Sequence, residues 1–319
     1  MLSVKEASDM IESGKTLHIA GSARVLELLP KGNWIGGSTE YFITADSAVS
    51  ASDMLFVGEM PEYDYKITSY DEHEIYNITG DAYENGFSVV ILPLGSDVFN
   101  VYATHSSELP GIFVKNIAGW VAGSDDGKGT LVVNGVTGEC FSDRAVAMHI
   151  SLPEGKLASV GIVNIFEPDA DSPLFEFDGG KNIISKCRID GVERIFKDYL
   201  TENNVDIRLP IIGEYSGAHI NISFGEYTDD GSVVLRAPVF KGIHYRLAKP
   251  MPDYEGSFRA GLSGLESVNP VFACNCVHNF IHGKLEGKPV ASFAGPVTYG
   301  EIAYQLVNQT LVYIDLLDA

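Results

Sequence analysis

Short runs of β-forming residues, each bounded by Gly or Pro, recur along the chain. TLHIAGS and SVVLRAPV are typical, and FSVVILPLGS is apolar almost throughout, as expected for a strand buried on both faces. Helical patterns are inserted between these runs without a strict β-α-β alternation. This order predicts an α/β protein of the α+β kind, with mixed or antiparallel sheets covered by helices, and it disfavours a doubly wound nucleotide-binding fold.

Two segments have the spacing of amphipathic helices. In SVKEASDMIESG, Ser3 is a candidate N-cap and Glu6 follows three residues later, as in a capping box. The second segment, DGVERIFKDYLTEN (190–203), places four apolar residues on one helical face. These residues are Val192, Ile195, Phe196 and Leu200.

A polar, turn-rich segment, EPDADSPLFEFDGGKN (167–182), divides the chain. It separates a first half of mixed helix and strand from a second half rich in strands, with helices expected near 254–266 and 278–286. At 319 residues the chain is long enough for two domains of ordinary size. We therefore predict one domain over 1–178 and another over 179–319.

Acidic residues outnumber basic ones by 43 to 22, which gives a formal net charge of −21 at pH 7. This charge opposes binding to nucleic acid or to an anionic membrane. The sequence has no apolar run of membrane-spanning length, and its N-terminus carries acids where a signal peptide is apolar. Four cysteines are too few for a disulfide scaffold in a chain of this size. We expect an acidic cytoplasmic protein with neither nucleic acid nor membrane as a partner.

The stretch CNCVHNFIH (274–282) combines two cysteines with two histidines. On a strand, Cys274 and Cys276 would point to one face. They are closer together than the cysteine pairs of structural zinc sites, and the pair His278 and His282 lacks the glutamate of an HExxH helix, so a metal site is disfavoured. Three interpretations stay open: buried core thiols, thiols lining a ligand pocket, and a nucleophile, Cys274 or Cys276, acting with His278.

The segment GNWIGGST (32–39) is rich in glycine but lacks the Lys of a Walker A motif. Its glycines permit close backbone approach, and its amides are able to face an anion. Two interpretations stay open: a glycine turn before a strand, and a ligand-facing loop formed by Gly36, Gly37 and Ser38.

The end of the chain carries the most specific pattern. In GKPVASFAGPVTYGEIAYQLVNQTLVYIDL, the tetrapeptide YGEI (299–302) precedes NQT (308–310) and a final apolar strand. This arrangement resembles the end of the C-terminal FIST domain. The segment LFEFDGGKNIISKCRIDGVERIFKDYL resembles the junction of that family, and GNWIGGSTEYF is similar to a Gly-Cys-Ser-x-x-Gly turn of the N-terminal FIST domain.

FIST domains are sensory modules of bacterial signal-transduction proteins. The resemblance implies a stand-alone sensory protein that binds an amino acid or a similar small metabolite and signals to a protein partner, without catalysis or a required cofactor. Some family members bind haem through a His of the second domain and respond to nitric oxide. The nearest matches here are His219 and His244, so a haem-binding nitric oxide sensor is an alternative, as is the cysteine enzyme described above.

The segment VFACNCVHNF resembles a strand of the family that ends in a Ser-Cys type sequence, and this resemblance makes Cys274 the counterpart of the cysteine in that sequence. Tyr299, Glu301 and Asn308 are polar residues close in sequence to Gly300 and to apolar strands, and a small-molecule pocket needs this combination of residues. Glu301 has two interpretations: a carboxylate that accepts from a ligand amine, and an acid in the first turn of a helix starting at GEIAYQLV. The complete set of expected ligand-binding residues is Gly36, Gly37, Ser38, Cys274, Asn275, Tyr299, Gly300, Glu301 and Asn308.

Overall fold

A computed structural model of the chain describes residues 1–125, 129–215, 217–265, 267–290 and 293–318. The chain divides into two compact units. Unit 1 comprises Met1–Val163, Leu262–Leu306 and Thr310–Ala319, and unit 2 comprises Asn164–Gly261 and Val307–Gln309. Most of unit 2 is therefore a segment inserted into the sequence of unit 1. The boundary expected from the sequence, between residues 178 and 179, lies within this inserted segment.

The fold is α+β, which confirms the predicted class. The helices are α1 (Val4–Glu12), α2 (Ala23–Leu26), α3 (Ile78–Asp81), α4 (Asp97–His105), α5 (Phe196–Glu202), α6 (Tyr254–Gly261) and α7 (Val277–His282), with 3-10 turns at Ile75–Asn77, Ser106–Glu108 and Ile112–Val114. None of the helices in the described part of the chain has the length and hydropathy needed to cross a bilayer.

The strands are β1 (Leu17–Gly21), β2 (Trp34–Ser38), β3 (Tyr41–Ile43), β4 (Ala48–Ser50), β5 (Phe56–Glu59), β6 (Tyr65–Tyr70), β7 (Gly86–Pro93), β8 (Asn116–Ala122), β9 (Val132–Asn134), β10 (Glu139–Phe141), β11 (Ala145–Ser151), β12 (Lys156–Asn164), β13 (Phe175–Glu176), β14 (Lys181–Ile184), β15 (Lys186–Ile189), β16 (Val192–Ile195), β17 (Ile211–Tyr215), β18 (Ala218–Ile222), β19 (Phe224–Tyr227), β20 (Val233–Val239), β21 (His244–Leu247), β22 (Phe272–Cys276), β23 (Gly295–Thr298), β24 (Glu301–Ala303), β25 (Gln305–Val307) and β26 (Thr310–Asp318).

The strands described in unit 1 form mixed sheets with the orders β10-β9-β2-β1-β5, β25-β24-β8-β7-β11-β6 and β12-β26-β22-β23-β3-β4. Each sheet contains a parallel pair: β1 with β2, β7 with β8, and β22 with β23. Strand β7 is buried along its whole length, as its apolar sequence predicts. The strands described in unit 2 form antiparallel sheets with the orders β16-β15-β13-β21-β17-β18 and β14-β20-β19.

Helix α1 confirms the N-terminal prediction. The Ser3 hydroxyl accepts from the backbone N–H of Glu6 at 3.3 Å, and the Glu6 carboxylate accepts from the backbone N–H of Ser3 at 2.8 Å. This reciprocal capping box satisfies two donors that the first helical turn leaves unpaired. Ala7 and Ile11 on the other face are buried against β1 and β2, in a core that includes Leu17.

The predicted helix over 190–203 is wrong in its first part. Asp190 and Gly191 have φ angles of 50° and 80°, and they form the tight connection of a hairpin between β15 and β16. The Asp-Gly pair is a strong signal for such a turn, because both positions need positive φ. The helix begins only at Phe196, which is fully buried, whereas Val192 is exposed.

The helix expected to start at GEIAYQLV is also wrong. Residues 301–303 form β24 and residues 305–307 form β25, and Tyr304 between them has a φ of 64°. A left-handed residue at this position turns the chain and ends β24. Glu301 therefore lies on a strand and does not serve as an acid of a first helical turn.

Candidate functional site

A polar pocket of about 600 Å³ opens in unit 1 at the carboxyl ends of three strands. Ser22 follows β1, Thr39 follows β2, and Gly123 follows β8. The volume lies in the range of small-molecule sites. We call this the polar pocket, and its described lining residues are Ser22, Ala23, Arg24, Ser38, Thr39, Glu40, Ser52, Gly123, Ser124, Asp125 and Gly129.

The described lining carries one guanidinium, that of Arg24, and two carboxylates, those of Glu40 and Asp125. Arg24 is exposed and forms no ion pair with the residues that the structure describes. Its five N–H donors are therefore available to a ligand anion. The remaining polar lining consists of hydroxyl groups, which both donate and accept: Ser22, Ser38, Thr39, Ser52 and Ser124.

Two tyrosines hold the carboxylate of Asp125. Tyr299 donates its hydroxyl to Oδ1 at 2.8 Å, and Tyr41 donates to Oδ2. Burial, followed by the bond to Asp125, raises the pKa of Tyr41 to about 12 and also raises the pKa of Tyr299, so both remain protonated donors at neutral pH. Gly123 leaves room for this arrangement, since a Cβ there would lie 2.7 Å from the Tyr299 ring.

Of the predicted residues, Ser38 and Tyr299 meet at the polar pocket, the first in its lining and the second through Asp125. Gly36 and Gly37 lie within β2 and serve close packing. A Cβ at Gly36 would be 2.8 Å from the Trp34 ring, and one at Gly37 would be 2.6 Å from Ile91. The glycine-rich segment is thus a buried strand, whose last residue reaches the pocket.

Glu301 lies in a buried polar cluster, away from solvent. Its carboxylate accepts from the backbone N–H and the hydroxyl of Thr310 at 3.2 and 3.0 Å, and from the Thr298 hydroxyl at 3.2 Å. Burial outweighs these hydrogen bonds and raises the pKa of Glu301 to about 8. The neighbouring Gly300 packs closely, because a Cβ there would lie 3.0 Å from Val121.

Cys274 and Asn275 are buried beside this cluster. The Cys274 thiol donates to the carbonyl of Gly119 at 3.2 Å, and burial, followed by the charge of Glu301, raises its pKa well above the ordinary value. A nucleophilic cysteine needs the opposite surroundings, which favour the thiolate. Asn275 is used internally: its Oδ1 accepts from the backbone N–H of Cys276 and from Asn279, both at 2.9 Å. These surroundings favour the interpretation as core thiols.

The remaining candidates lie elsewhere. Asn308 is buried in unit 2, where its Oδ1 accepts from the backbone N–H of Ser223 at 3.2 Å. His219 and His244 are exposed on β18 and β21, and each stands opposite Glu214 of the strand between them. Within the described ranges, no cluster of three or more His, Cys, Asp or Glu residues has metal-binding geometry.

Arg24 and Asp125 of the polar pocket were not anticipated from the sequence. The available signal was positional: each residue follows closely on the end of a buried strand, β1 or β8. Polar residues at such strand ends frequently line ligand sites. Their meeting depends on the strand pairing, which the sequence did not supply.

A protein-family model described as a family of unknown function, DUF6976, matches residues 2–317. No curated protein and no solved structure matches the chain.

Proposed function

Because the chain belongs to the DUF6976 family, whose function is unknown, we propose a function from the polar pocket itself: a sensory protein that binds a zwitterionic metabolite such as an amino acid. The observation that carries the proposal is that one pocket contains Arg24, which has no ion-pair partner among the described residues, together with the carboxylates of Glu40 and Asp125. A ligand with one carboxylate and one ammonium group would satisfy both kinds of charge.

The guanidinium of Arg24 suits the carboxylate of the ligand, since Arg and carboxylate form short, charge-assisted and often bidentate bonds. The ammonium group would then lie against Asp125 and Glu40. The hydroxyl groups of the lining are able to bond to either end of a small polar ligand. A ligand with a carboxylate but no amine would be repelled by Glu40 and Asp125. A ligand with an amine but no carboxylate would make no ion pair with Arg24.

Asp125 is held in place before any ligand arrives. The hydroxyls of Tyr41 and Tyr299 each occupy one oxygen, and a carboxylate offers about four acceptor positions, so capacity for a ligand ammonium is left. A side chain that is already held in place loses less conformational entropy when the ligand binds than a mobile side chain does. The resemblance of YGEI (299–302) to the FIST family supports the sensory interpretation, because its Tyr299 is one of these two donors.

We place the protein in the cytoplasm, where its four free cysteines would stay reduced. A signalling protein would respond to the ligand-bound form. Catalysis by Cys274 has less support, because its surroundings keep the thiol protonated. The proposal requires no cofactor.

Isothermal titration calorimetry of the full chain with a set of common L-amino acids tests the proposal. We expect at least one of them to bind, and its decarboxylated amine and its deaminated acid to bind about tenfold more weakly or not at all. Arg24→Gln should weaken binding to a similar degree. Arg188→Gln, an exposed arginine of unit 2, is the matched control and should bind as the wild type does.

Two outcomes would contradict the proposal. One is the absence of binding by any amino acid in the set. The other is equal affinity of Arg24→Gln and Arg188→Gln for an amino acid that does bind, which would locate the site away from the polar pocket.

A further inference from the structure

We propose that unit 2 carries a second and independent ligand site, which binds an organic amine with an apolar body. The site is a pocket of about 500 Å³ formed entirely by residues of unit 2. We call it the proline pocket, and its described lining residues are Asp169, Ser172, Pro173, Tyr199, Asn203, Asn204, Val205, Asp206, Arg208, Leu209, Pro210, Leu247, Ala248, Pro250, Met251 and Pro252.

Three segments build the proline pocket: the loop after β12, the end of α5 with the loop that follows it, and the end of β21 with the loop that follows it. Asn204, in the second segment, has a φ of 48°, which turns the chain just after the helix. Strands and a helix therefore anchor all of the walls. The volume falls within the range of small-molecule sites.

The wall chemistry favours an apolar body on the ligand. Leu209 and Ala248 are buried, and Met251 and Leu247 add further apolar surface. Methionine adapts to ligands of different shape because its side chain is unbranched and polarizable.

Prolines reduce the number of backbone hydrogen-bond donors in the wall of the pocket. The lining includes Pro173, Pro210, Pro250 and Pro252, none of which has a backbone N–H. At these positions the backbone can only accept hydrogen bonds, and the carbonyls of Pro173 and Pro210 already accept from the Ser172 hydroxyl and from the backbone N–H of Ala248. A ligand that donates hydrogen bonds is therefore better served than one that accepts them.

The charged residues of the proline pocket also favour a ligand that donates hydrogen bonds. Arg208, the cationic residue of the described lining, is already held by Asp206 through bonds of 2.8 and 2.6 Å from its Nε and Nη2. Asp169 accepts from the backbone N–H of Asp171 at 3.0 Å and forms no ion pair with the described residues. Asp169 is thus a carboxylate that no described cation holds in an ion pair, although its charge also interacts with Lys249, and such a carboxylate suits an ammonium group. The overall net charge of −21 further favours cations.

A matched ligand series tests the inference by protein-observed NMR or calorimetry on the full chain. We expect 2-phenylethylamine to bind saturably, the neutral isostere 2-phenylethanol to bind about tenfold more weakly, and 3-phenylpropanoate not to bind. Asp169→Asn should reduce the affinity for the amine about tenfold. This variant should fold, because the asparagine Oδ1 still accepts from the backbone N–H of Asp171. Asp229→Asn, which changes an exposed acid outside the pocket, should bind as the wild type does.

Equal affinity for the amine and the alcohol would overturn the inference, as would equal affinity of Asp169→Asn and Asp229→Asn for the amine. Arg24→Gln separates this site from the polar pocket of unit 1. Binding of 2-phenylethylamine should be unchanged in that variant, and its loss would also overturn the inference.

Discussion

Thr310 donates two hydrogen bonds to one carboxylate oxygen of Glu301, from its backbone N–H at 3.2 Å and from its hydroxyl at 3.0 Å. These bonds favour the ionised carboxylate, but Glu301 is fully buried, and burial has the larger effect. The pKa of Glu301 in the folded protein is therefore about 8, against an ordinary value of 4.5. A buried acid of this kind couples the stability of unit 1 to pH.

Glu301 should make the protein less stable as the pH rises. Between pH 4.5 and 8 the folded protein holds a proton on Glu301 that the unfolded chain has lost, so this contribution to stability is complete below 4.5 and gone above 8. The slope from one proton is about 1.4 kcal/mol per pH unit. Glu301→Gln keeps a neutral side chain of similar shape at every pH. We expect its free energy of unfolding, measured in urea, to rise relative to that of the wild type over this range, because the opposite contribution of the buried His149 is the same in both proteins.

The control is Glu12→Gln, which changes an exposed acid of α1 and should keep the wild-type pH dependence. If the two variants have the same slope between pH 5 and 8, Glu301 is ionised in the folded protein and the assignment is wrong.

Gly119→Ala should destabilise the protein strongly. Gly119 pairs with Val90 across the parallel strands β7 and β8, and a Cβ at this position would lie 1.9 Å from the Val90 carbonyl oxygen. Backbone atoms in the centre of a sheet cannot move aside cheaply, and we expect a loss of at least about 2–3 kcal/mol in the free energy of unfolding. Gly80→Ala is the matched control, because nothing lies within 4 Å of a Cβ there. It should be neutral or slightly stabilising in the same urea titration.

Tyr70→Phe should destabilise the protein through His149. The Tyr70 hydroxyl donates to Asp81 at 2.9 Å and lies 2.9 Å from Nε2 of His149, whose Nδ1 lies 2.7 Å from the Ser88 hydroxyl. Burial lowers the pKa of His149 to about 4, so the ring is neutral at pH 7. Because Tyr70 donates to Asp81, its oxygen accepts from Nε2–H, and Ser88 donates to Nδ1.

Removing the hydroxyl leaves the Nε2–H of a buried ring without its acceptor, which costs about 1–3 kcal/mol. The exposed Tyr76 provides the control, and Tyr76→Phe should leave thermal and urea stability unchanged. Similar stability of the two variants would show that the bond between Tyr70 and His149 contributes little.

The features that could be predicted from the sequence were those that depend on residues close together in the chain. Helix α1 was predictable because Ser3 and Glu6 cap it within one turn. The helix predicted over 190–203 was wrong in its first part, because its apolar spacing is compatible both with one helix and with a hairpin followed by a helix. The turn at Asp190 and Gly191 makes the first part a hairpin. The fold class was predictable because the many short runs of β-forming residues can each be recognised without knowing how the strands pair.

The candidate site was only partly predictable, for a physical reason. Tyr299 and Asp125 are 174 residues apart in sequence and meet because β24 pairs with β8, which brings the segments flanking those strands together. Such pairing depends on register between distant strands, which a single sequence does not specify. Arg24, an exposed residue on a short helix, carries no periodic signal at all.

The place of β26 in its sheet has a consequence for synthesis. This strand, Thr310–Asp318, lies between β12 and β22 in the sheet order, and it follows the inserted segment of unit 2 in the chain. A ribosome therefore delivers the whole of Asn164–Gly261 before the strand that completes unit 1. Until Thr310–Asp318 emerge, β12 and β22 each have an open edge, and such edges are prone to pair with other chains. Unit 1 thus becomes resistant to misassembly only after β26 has been synthesised.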